Sequence, residues 1–200
     1  MYRTSFYGGI VLCFLICVLA APASAGEPTV QIKSTIDKVI DILNDPEFKA
    51  PEKAKERRRL MRGVADERFD WQEMARRSLA RHWKDRTDKE KDEFVPLFAD
   101  LLERTYMNRV ENYSGEKVTY TGERIEGKYA LVSLSVFTSK DVEIPIEYRL
   151  QKKSDEWLIY DVSIEGVSLV NNYRTQFNSI ILNSSYEGLV AKLKDKVAKN

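Results

Sequence analysis

The amino-acid sequence predicts an α+β fold, a curved four-stranded antiparallel sheet with several helices packed on its apolar face. Between about residues 32 and 110, apolar residues recur at steps of three and four, which is typical of amphipathic helices. From residue 116 to about 163 they alternate with polar residues, as in strands that are buried on one face. Helical spacing then returns up to residue 196. Because the strands are joined by short segments, the simplest topology is an antiparallel meander.

Three helices are predicted at the start of this domain. The first has apolar residues between residues 32 and 43 and ends where Asp45 is followed by Pro46. Two further helices, at about 51–66 and 70–84, are rich in charge and carry one apolar face each.

The longest helix is predicted to begin at a capping box. Thr87 and Glu90 have the T-x-x-E spacing in which each side chain accepts a hydrogen bond from the backbone of the other. Pro96 lies inside this helix, has no N–H group and clashes with the carbonyl of Asp92, so we predict a kink there.

Four strands follow the long helix. The third alternates most clearly, with apolar residues on one face and charged residues on the other. Pro145 lies inside it and cannot donate to the ladder, so we place it opposite the end of the fourth strand, near Ser163. The predicted strands are 118–121, 129–137, 142–150 and 157–163.

The stretch DVSIEGVSLVNNYRTQF, residues 161–177, joins the fourth strand to a further helix through a structural corner at Glu165, Gly166 and Ser168. Gly166 permits a backbone conformation that other residues resist, and Ser168 is placed to cap the helix. We therefore expect the corner to set the angle at which this helix lies over the sheet. A last helix is predicted at 186–196.

Residues 1–25 have the parts of a secretory signal peptide. Arg3 precedes the apolar run IVLCFLICVLAA, and Ala23-Ser24-Ala25 gives the small residues of a cleavage site. The run is short for a membrane span, which needs roughly 20 apolar residues. We expect removal of residues 1–25, export of the protein, and a single domain at 26–200.

Charge and composition exclude several classes of function. The 32 basic residues include Arg3, whose removal leaves 31, the same number as the acidic residues. Nucleic-acid binding requires a basic stripe, which this balance does not provide, so no nucleic-acid partner is expected. The one local excess, KAKERRR at 53–59, is interpreted as a solvated helix face, with 57–59 as an alternative docking patch for an acidic partner or anionic lipid.

No catalytic, metal or cofactor site is predicted. The two cysteines leave with the signal peptide, and His82 is the single histidine, which excludes Cys–His catalysis and His-rich zinc sites. Asp161 and Glu165 flank the end of the fourth strand, where a buried carboxylate would serve as a general base. The favoured interpretation is that Asp161 faces solvent and that Glu165 holds the corner by hydrogen bonds.

The region around this corner resembles the signature of the MlaC, or toluene-tolerance, family. The Thr87-initiated helix ending in ERTYMNRVENYSGE, the four strands and the terminal EGLVAKLK helix agree with that family in order. Pro96 is a departure, because the family has an uninterrupted helix there. The residues that carry the resemblance are Asp161, Glu165, Gly166, Val167, Ser168, Leu169, Val170, Tyr173, Arg174 and Phe177.

The resemblance implies a monomeric periplasmic carrier of phospholipid. Such a protein shuttles lipid between an outer-membrane lipoprotein complex and an inner-membrane ABC transporter with an MCE-domain subunit, and thereby maintains outer-membrane lipid asymmetry. The lipid is cargo, no cofactor is implied, and the tails lie between the sheet and the helices.

Two apolar faces supply the walls of such a pocket. From pattern alone an ordinary closed core is favoured, because alternation does not reveal a gap between layers; the resemblance favours a pocket. A small enzyme with a buried acid such as Asp161, and a protein-binding adaptor with a filled core and an exposed apolar patch, are the alternatives. The predicted lipid-binding residues are Val142, Ile144, Ile146, Tyr148, Leu158, Tyr160 and Val162 on the sheet, and Phe94, Phe98, Tyr106, Tyr173 and Phe177 on the helices.

Overall fold

A computed structural model describes residues 26–198, so the predicted signal peptide lies outside the described residues. Within 26–198, no helix is both long and apolar enough to cross a membrane. Short 3-10 turns lie at Pro46–Phe48, Pro51–Lys53 and Ala80–Trp83. The helices are α1 Glu27–Asn44, α2 Ala54–Arg68, α3 Trp71–Leu79, α4 Asp88–Glu111, α5 Leu169–Asn183 and α6 Tyr186–Ala198; the strands are β1 Lys117–Glu126, β2 Tyr129–Phe137, β3 Glu143–Lys153, β4 Glu156–Ile164 and β5 Val167–Ser168.

The strands form one antiparallel sheet in the order β1-β2-β3-β4-β5, which confirms the α+β fold and the meander. The sheet has five strands where four were predicted. The additional strand, β5, is only two residues long and lies inside the predicted corner. A strand of two residues has no alternation for the sequence to display.

Two β-bulges interrupt the sheet, one at Thr121 in β1 and one at Tyr160 in β4. Ser163 pairs with Glu147, two residues away from the expected position of Pro145. One residue of this difference comes from the bulge at Tyr160 and the other from the two-residue turn between Lys153 and Glu156. Pro145 lies beyond the end of β4, where its carbonyl accepts a hydrogen bond from the backbone N–H of Glu165 at 2.9 Å. The proline is tolerated because β4 has ended at the position where its missing N–H group would donate.

The N-terminus of α4 has the predicted capping box. Thr87 N donates to Glu90 Oε2 at 2.7 Å, and Glu90 N donates to Thr87 Oγ1 at 3.3 Å. α4 continues through Pro96 as one helix of 24 residues. α3 ends earlier than predicted, at Leu79, because Ala80 adopts a φ of 49° that an α-helix cannot accommodate.

The apolar residues form two cores. One lies among α3, α4, α5 and α6, and we call it the helical core. The other lies on one face of the sheet and includes Ile32 of α1, Val132 of β2, Leu150 of β3 and Ile159 of β4. The helical core comprises Met74, Ala75, Leu79, Phe94, Phe98, Leu101, Leu102, Val170, Tyr173, Phe177, Tyr186, Leu189, Val190 and Leu193.

The corner between β4 and α5 is a tight hairpin turn. Ile164 pairs with Val167, and the two residues between them, Glu165 and Gly166, have φ angles of 51° and 78°. Positive φ at both central positions is the geometry of a type I′ turn, whose twist matches that of the flanking strands. Ser168 then caps α5 by accepting a hydrogen bond from Asn171 N at 3.1 Å. The chain thus reverses direction and starts a helix within four residues.

Asp161 fixes the start of α5 to the sheet. Its Oδ2 atom accepts a hydrogen bond from Ser168 Oγ at 2.6 Å, and its Oδ1 atom accepts one from Val170 N at 3.1 Å. The side chain is buried, and the expected solvent exposure of Asp161 is therefore wrong. The hairpin folds α5 back over the carboxylate, which the helix then uses as a second cap.

The positive φ of Gly166 predicts a specific cost of substitution. Gly166→Ala should lower the free energy of unfolding by about 1–2 kcal/mol, because a Cβ atom is strained in the left-handed region. A methyl group at 166 or at 122 would have no non-neighbouring atom within 4 Å, but only Gly166 of these two has positive φ. Gly122→Ala is thus a matched control that should cost less, as measured by urea denaturation. Equal losses would contradict the backbone explanation.

Candidate functional site

A cavity of about 690 Å³ lies between the sheet and the wall formed by α1, α2 and the C-terminal half of α4. Most of the side chains that surround it are apolar. The sheet contributes Val118, Leu134, Val136, Ile144, Ile146, Tyr148, Ile159, Val162 and Ile164, and the helices contribute Ile32, Ile36, Val39, Ile40, Leu43, Met61, Val64, Ala65, Leu102, Tyr106, Met107 and Val110.

Five of the twelve predicted lipid-binding residues line this cavity. Ile144, Ile146 and Tyr148 follow one another on the inner face of β3, and Val162 lies beside them on β4. Tyr106 faces them from α4. The sheet wall and the helix wall anticipated from the sequence therefore meet across a real gap at these positions.

Four predicted residues lie in the helical core instead. Phe94, Phe98, Tyr173 and Phe177 are each at most 5% exposed, and none of them lines the cavity. The Phe98 ring centre lies 5.5 Å from that of Tyr173 and 5.6 Å from that of Phe177, both nearly edge to face. α4 packs its N-terminal half on α5 and α6 and turns only its C-terminal half towards the cavity. The apolar stripe of α4 is therefore continuous in sequence, but its first half packs in the helical core and its second half lines the cavity.

Three further predicted residues do not line the cavity. The bulge at Tyr160 reverses the alternation of β4, so Ile159 faces inward in place of Leu158. Tyr160 lies on the other face, where the Arg77 guanidinium is 4.0 Å from its ring centre. Val142 precedes β3 in the turn from β2 and is 53% exposed.

The α1 and α2 side of the cavity was not assigned to a pocket from the sequence. The sequence identifies these side chains only as the apolar faces of two helices. They include Ile36, Val39 and Ile40 of α1 and Met61 and Val64 of α2. Helical periodicity identifies a buried face, but it carries no information about whether that face meets another surface or a gap.

Exposure separates a closed end of the cavity from a mouth. Ile32 and Ile159, at the closed end, are each 1% exposed. At the mouth, Arg109 and Asn112 at the end of α4 are exposed, and Thr138 lies near them between β2 and β3. The cavity is therefore a deep apolar pocket that opens where α4 runs into β1.

Polar contacts fasten α1 at the closed end. Thr29 N and Oγ1 donate to Glu123 Oε2 of β1 at 2.8 and 2.6 Å. Trp157 of β4 donates from its indole Nε1 to Glu27 Oε2 at 3.2 Å and from its backbone N–H to Gln31 Oε1 at 3.0 Å. The first two turns of α1 are thus tied to both β1 and β4.

Arginines of α2 fasten the wall near the mouth. Arg57 and Arg58 bind the two oxygens of Glu111 of α4 at 2.8 and 2.6 Å, and Arg62 binds Glu103 at 2.6 Å. Burial alone would raise the pKa of Glu111, but hydrogen bonds from Arg58 and Arg57 hold it below its usual value. Two of the three arginines of the suggested docking patch are therefore engaged within the chain.

The residues considered for catalysis do not form a reactive centre. Both oxygens of Asp161 are used in capping α5, and Asp161 does not line the cavity. His82 is half-buried, with Nε2 3.0 Å from Asn178 Oδ1. Within residues 26–198, no cluster of histidine and acidic side chains is arranged to hold a metal ion.

The hydroxyl of Tyr148 is set in an apolar wall. Burial raises the pKa of Tyr148 to about 12, and burial also raises the pKa of Tyr106 on the opposite wall. A tyrosinate is poorly solvated in such surroundings, so both side chains are held in the neutral form.

The raised pKa of Tyr148 predicts loss of stability at alkaline pH. Its folded pKa exceeds the unfolded value, so its contribution is present below pH 10 and is lost as the pH rises from about 10 to about 12. Tyr148→Phe should therefore reduce the decrease in unfolding free energy at pH 11 by up to about 1.4 kcal/mol, which corresponds to one pKa unit. Urea denaturation from pH 8 to 11 measures it. Tyr129→Phe, at an exposed tyrosine, is the control, and an equal effect of both would refute the assignment.

The gap beside β3 predicts unequal costs of truncation along one face of the strand. Leu150 is fully buried and does not line the cavity, so Leu150→Ala should cost about 2–5 kcal/mol. Ile146→Ala should cost about half as much or less, because Ile146 already faces empty space on one side. The comparison requires lipid-free protein and denaturant unfolding. Equal costs at both positions would indicate a closed core.

Comparisons with known proteins agree with this architecture. The family model described as MlaC protein matches residues 33–195. The chain is similar to the intermembrane phospholipid transport system binding protein MlaC of Haemophilus influenzae, with 23% identity over 126 residues. That alignment covers 60% of this chain and spans 59% of the length of the Haemophilus protein.

A solved structure also resembles this chain. It is the phospholipid-binding protein of Ralstonia solanacearum in complex with a phospholipid, with a TM-score of 0.76 and 24% identity. The match covers 87% of this chain and 100% of that one. At this level of identity, the likeness supports the fold.

Proposed function

Because this chain belongs to the MlaC family, we propose that it is a carrier that holds phospholipid in the cavity between its sheet and its helical wall. The observation that carries the proposal is the cavity itself. Its volume lies within the roughly 300–1,000 Å³ of ligand pockets, its walls are largely apolar, and exposed polar residues at the end of α4 mark a mouth. The names of the Haemophilus and Ralstonia proteins, which refer to phospholipid, support the same cargo.

The physical chemistry of acyl chains fits such a pocket. Burial of a methylene group contributes about 0.8 kcal/mol, so a chain of about 14 methylenes gains roughly 11 kcal/mol on leaving water. Uncatalysed transit of phospholipid through water is therefore very slow. A pocket that is as apolar as the membrane interior makes transfer between the two nearly neutral, and hence reversible.

The proposed route runs between the two membranes of the cell envelope. Residues 1–25 would direct export to the periplasm and be removed, leaving a soluble monomeric domain. The carrier would exchange lipid with an outer-membrane lipoprotein complex and with an inner-membrane ABC transporter that has an MCE-domain subunit. Its role would be to maintain the lipid asymmetry of the outer membrane.

Neither alternative function is favoured by a specific observation. An enzyme would need a free acid in the pocket, whereas Asp161 is outside it and occupied by two hydrogen bonds. An adaptor was expected to have a filled core, whereas the inner face of this sheet borders a cavity.

The first test of the carrier is native mass spectrometry of the exported protein, purified without detergent, with organic extraction of the bound material. A discrete added mass that is extracted as phospholipid is the expected result. If the protein carries no lipid and also fails to take up phospholipid from vesicles, the proposed function is wrong.

A charge in the cavity wall should separate lipid retention from folding. Ile146→Asp places a carboxylate against the cargo, so we expect at least a tenfold loss of bound phospholipid, since burying an unpaired charge costs several kcal/mol. The lipid-free variant should still fold, because Ile146 lies opposite Ile164 at the end of β4, next to the exposed Glu165, where the new carboxylate can reach solvent. Lipid content after vesicle incubation and circular dichroism measure the two effects.

Thr121→Asp is the matched control, since it places the same charge at an exposed bulge in the same sheet. This variant should bind lipid normally. Unfolding of Ile146→Asp in the absence of lipid, with Thr121→Asp intact, would instead indicate that Ile146 belongs to a closed core.

A further inference from the structure

The charged residues that line the cavity are mostly acidic. Four charged residues line the cavity, namely Glu103, Arg109, Glu116 and Glu165. Arg109 is thus the one cationic side chain among the described residues of the lining. The three carboxylates of the lining are the obvious ion-pair partners for this cation. Whether Arg109 pairs with any of them decides if its charge is available to a ligand.

Two of the three acids of the lining, Glu103 and Glu116, are engaged elsewhere, and the third, Glu165, is exposed beyond the end of β4 and forms no ion pair with Arg109. Glu103 forms its ion pair with Arg62 at 2.6 Å. Glu111, two residues from Arg109, is bound on both oxygens by arginines of α2. Glu116 accepts hydrogen bonds from Ser114 N at 2.7 Å and from Ser114 Oγ at 3.0 Å, which lower its pKa. The carboxylates nearest to Arg109 along the chain are therefore already neutralised or solvated by the protein.

Arg109 itself has no ion-pair partner within residues 26–198. Its guanidinium carbon lies 5.8 Å from the ring centre of Tyr106, which lines the cavity. A basic residue in the last turn of a helix is favourable on any side of that helix. This general preference does not explain why the residue is on the cavity side, beside Tyr106, with no hydrogen bond from its guanidinium to any of residues 26–198.

We propose that Arg109 binds the anionic group of the lipid whose acyl chains occupy the cavity. The inference rests on the proposed function and adds the class of head group that the mouth selects. A guanidinium presents a planar set of donors that matches the oxygens of a phosphate or a carboxylate. A phosphodiester of a phospholipid and the carboxylate of a fatty acid share this chemistry, whereas diacylglycerol lacks it.

The geometry of an amphipathic ligand agrees with this assignment. Apolar chains enter towards Ile32 and Ile159 at the closed end, so the head group is left at the mouth. Arg109 is exposed there, and its ion pair with the head group is partly screened by water. A moderate contribution follows, about a three- to tenfold change in affinity, which decreases as the salt concentration rises.

The test compares the unsubstituted protein with Arg109→Gln and Arg59→Gln. Arg59 is an exposed arginine of α2 that does not line the cavity, so its substitution removes the same charge from a different place. Delipidated protein is incubated with phosphatidylglycerol vesicles, with oleate, or with diacylglycerol that has the same acyl chains. Bound lipid is measured at low and high salt, and circular dichroism checks the fold.

The expected result is a three- to tenfold loss of phosphatidylglycerol by Arg109→Gln, with diacylglycerol unchanged and with no effect of Arg59→Gln. A parallel loss of oleate assigns Arg109 to anionic groups in general, and unchanged oleate assigns it to phosphate. Arg109→Lys should recover part of the affinity, because it restores the charge without the planar donors.

Two outcomes would overturn the inference alone. One is uptake of phosphatidylglycerol by Arg109→Gln at the level of the unsubstituted protein. The other is an equal loss of diacylglycerol, which would show that Arg109 acts through the shape of the mouth. Failure of the unsubstituted protein to take up any of the three lipids would overturn the proposed function, and this inference with it.

Discussion

The cavity depends on a wall of helices that is held at its ends by directional polar contacts. Apolar packing favours contact between α1, α2 and the sheet, and nothing in the hydrophobic effect by itself keeps them apart. Hydrogen bonds have narrow preferred lengths, so the contacts of Thr29 with Glu123 fix one end of α1. The ion pairs of Arg57 and Arg58 with Glu111 fix α2 against α4 at the other end. Between these fastenings the apolar side chains face a gap.

The two cores have different tasks. The helical core is closed, and aromatic residues such as Phe98 and Phe177 pack edge to face within it. Asp161 joins that core to the sheet, because a single buried carboxylate holds both Ser168 and the first turn of α5. The helical core can therefore maintain the fold, while the apolar residues beside β3 border the cavity and are less closely packed. This division explains how a domain without disulfides in its described residues accommodates a large internal space.

The sequence predicted the order and type of nearly all elements, because amphipathic periodicity and the capping box at Thr87 are local signals. It did not predict β5 or the bulge at Tyr160, since neither leaves a pattern in composition. The bulge has a large consequence: one extra residue exchanges Leu158 for Ile159 on the inner face. The sequence also could not show which part of a long apolar stripe lines the cavity and which part packs in a core. Phe98 and Tyr106 lie on one stripe of α4, but only Tyr106 reaches the cavity.

For the proposed cargo, the apolar walls cannot decide the direction of transfer. A methylene group gains about the same free energy in a bilayer as in this cavity, so the large terms of roughly 11 kcal/mol per chain cancel. What remains are small differences in free energy at the mouth, where the head group would meet water and the exposed guanidinium of Arg109. Arg57, Arg58 and Arg62 of α2 hold the wall through ion pairs, whereas Arg109 forms no ion pair within residues 26–198. Residues that shape the cavity and residues that adjust its affinity are therefore distinct, and each set can change without the other.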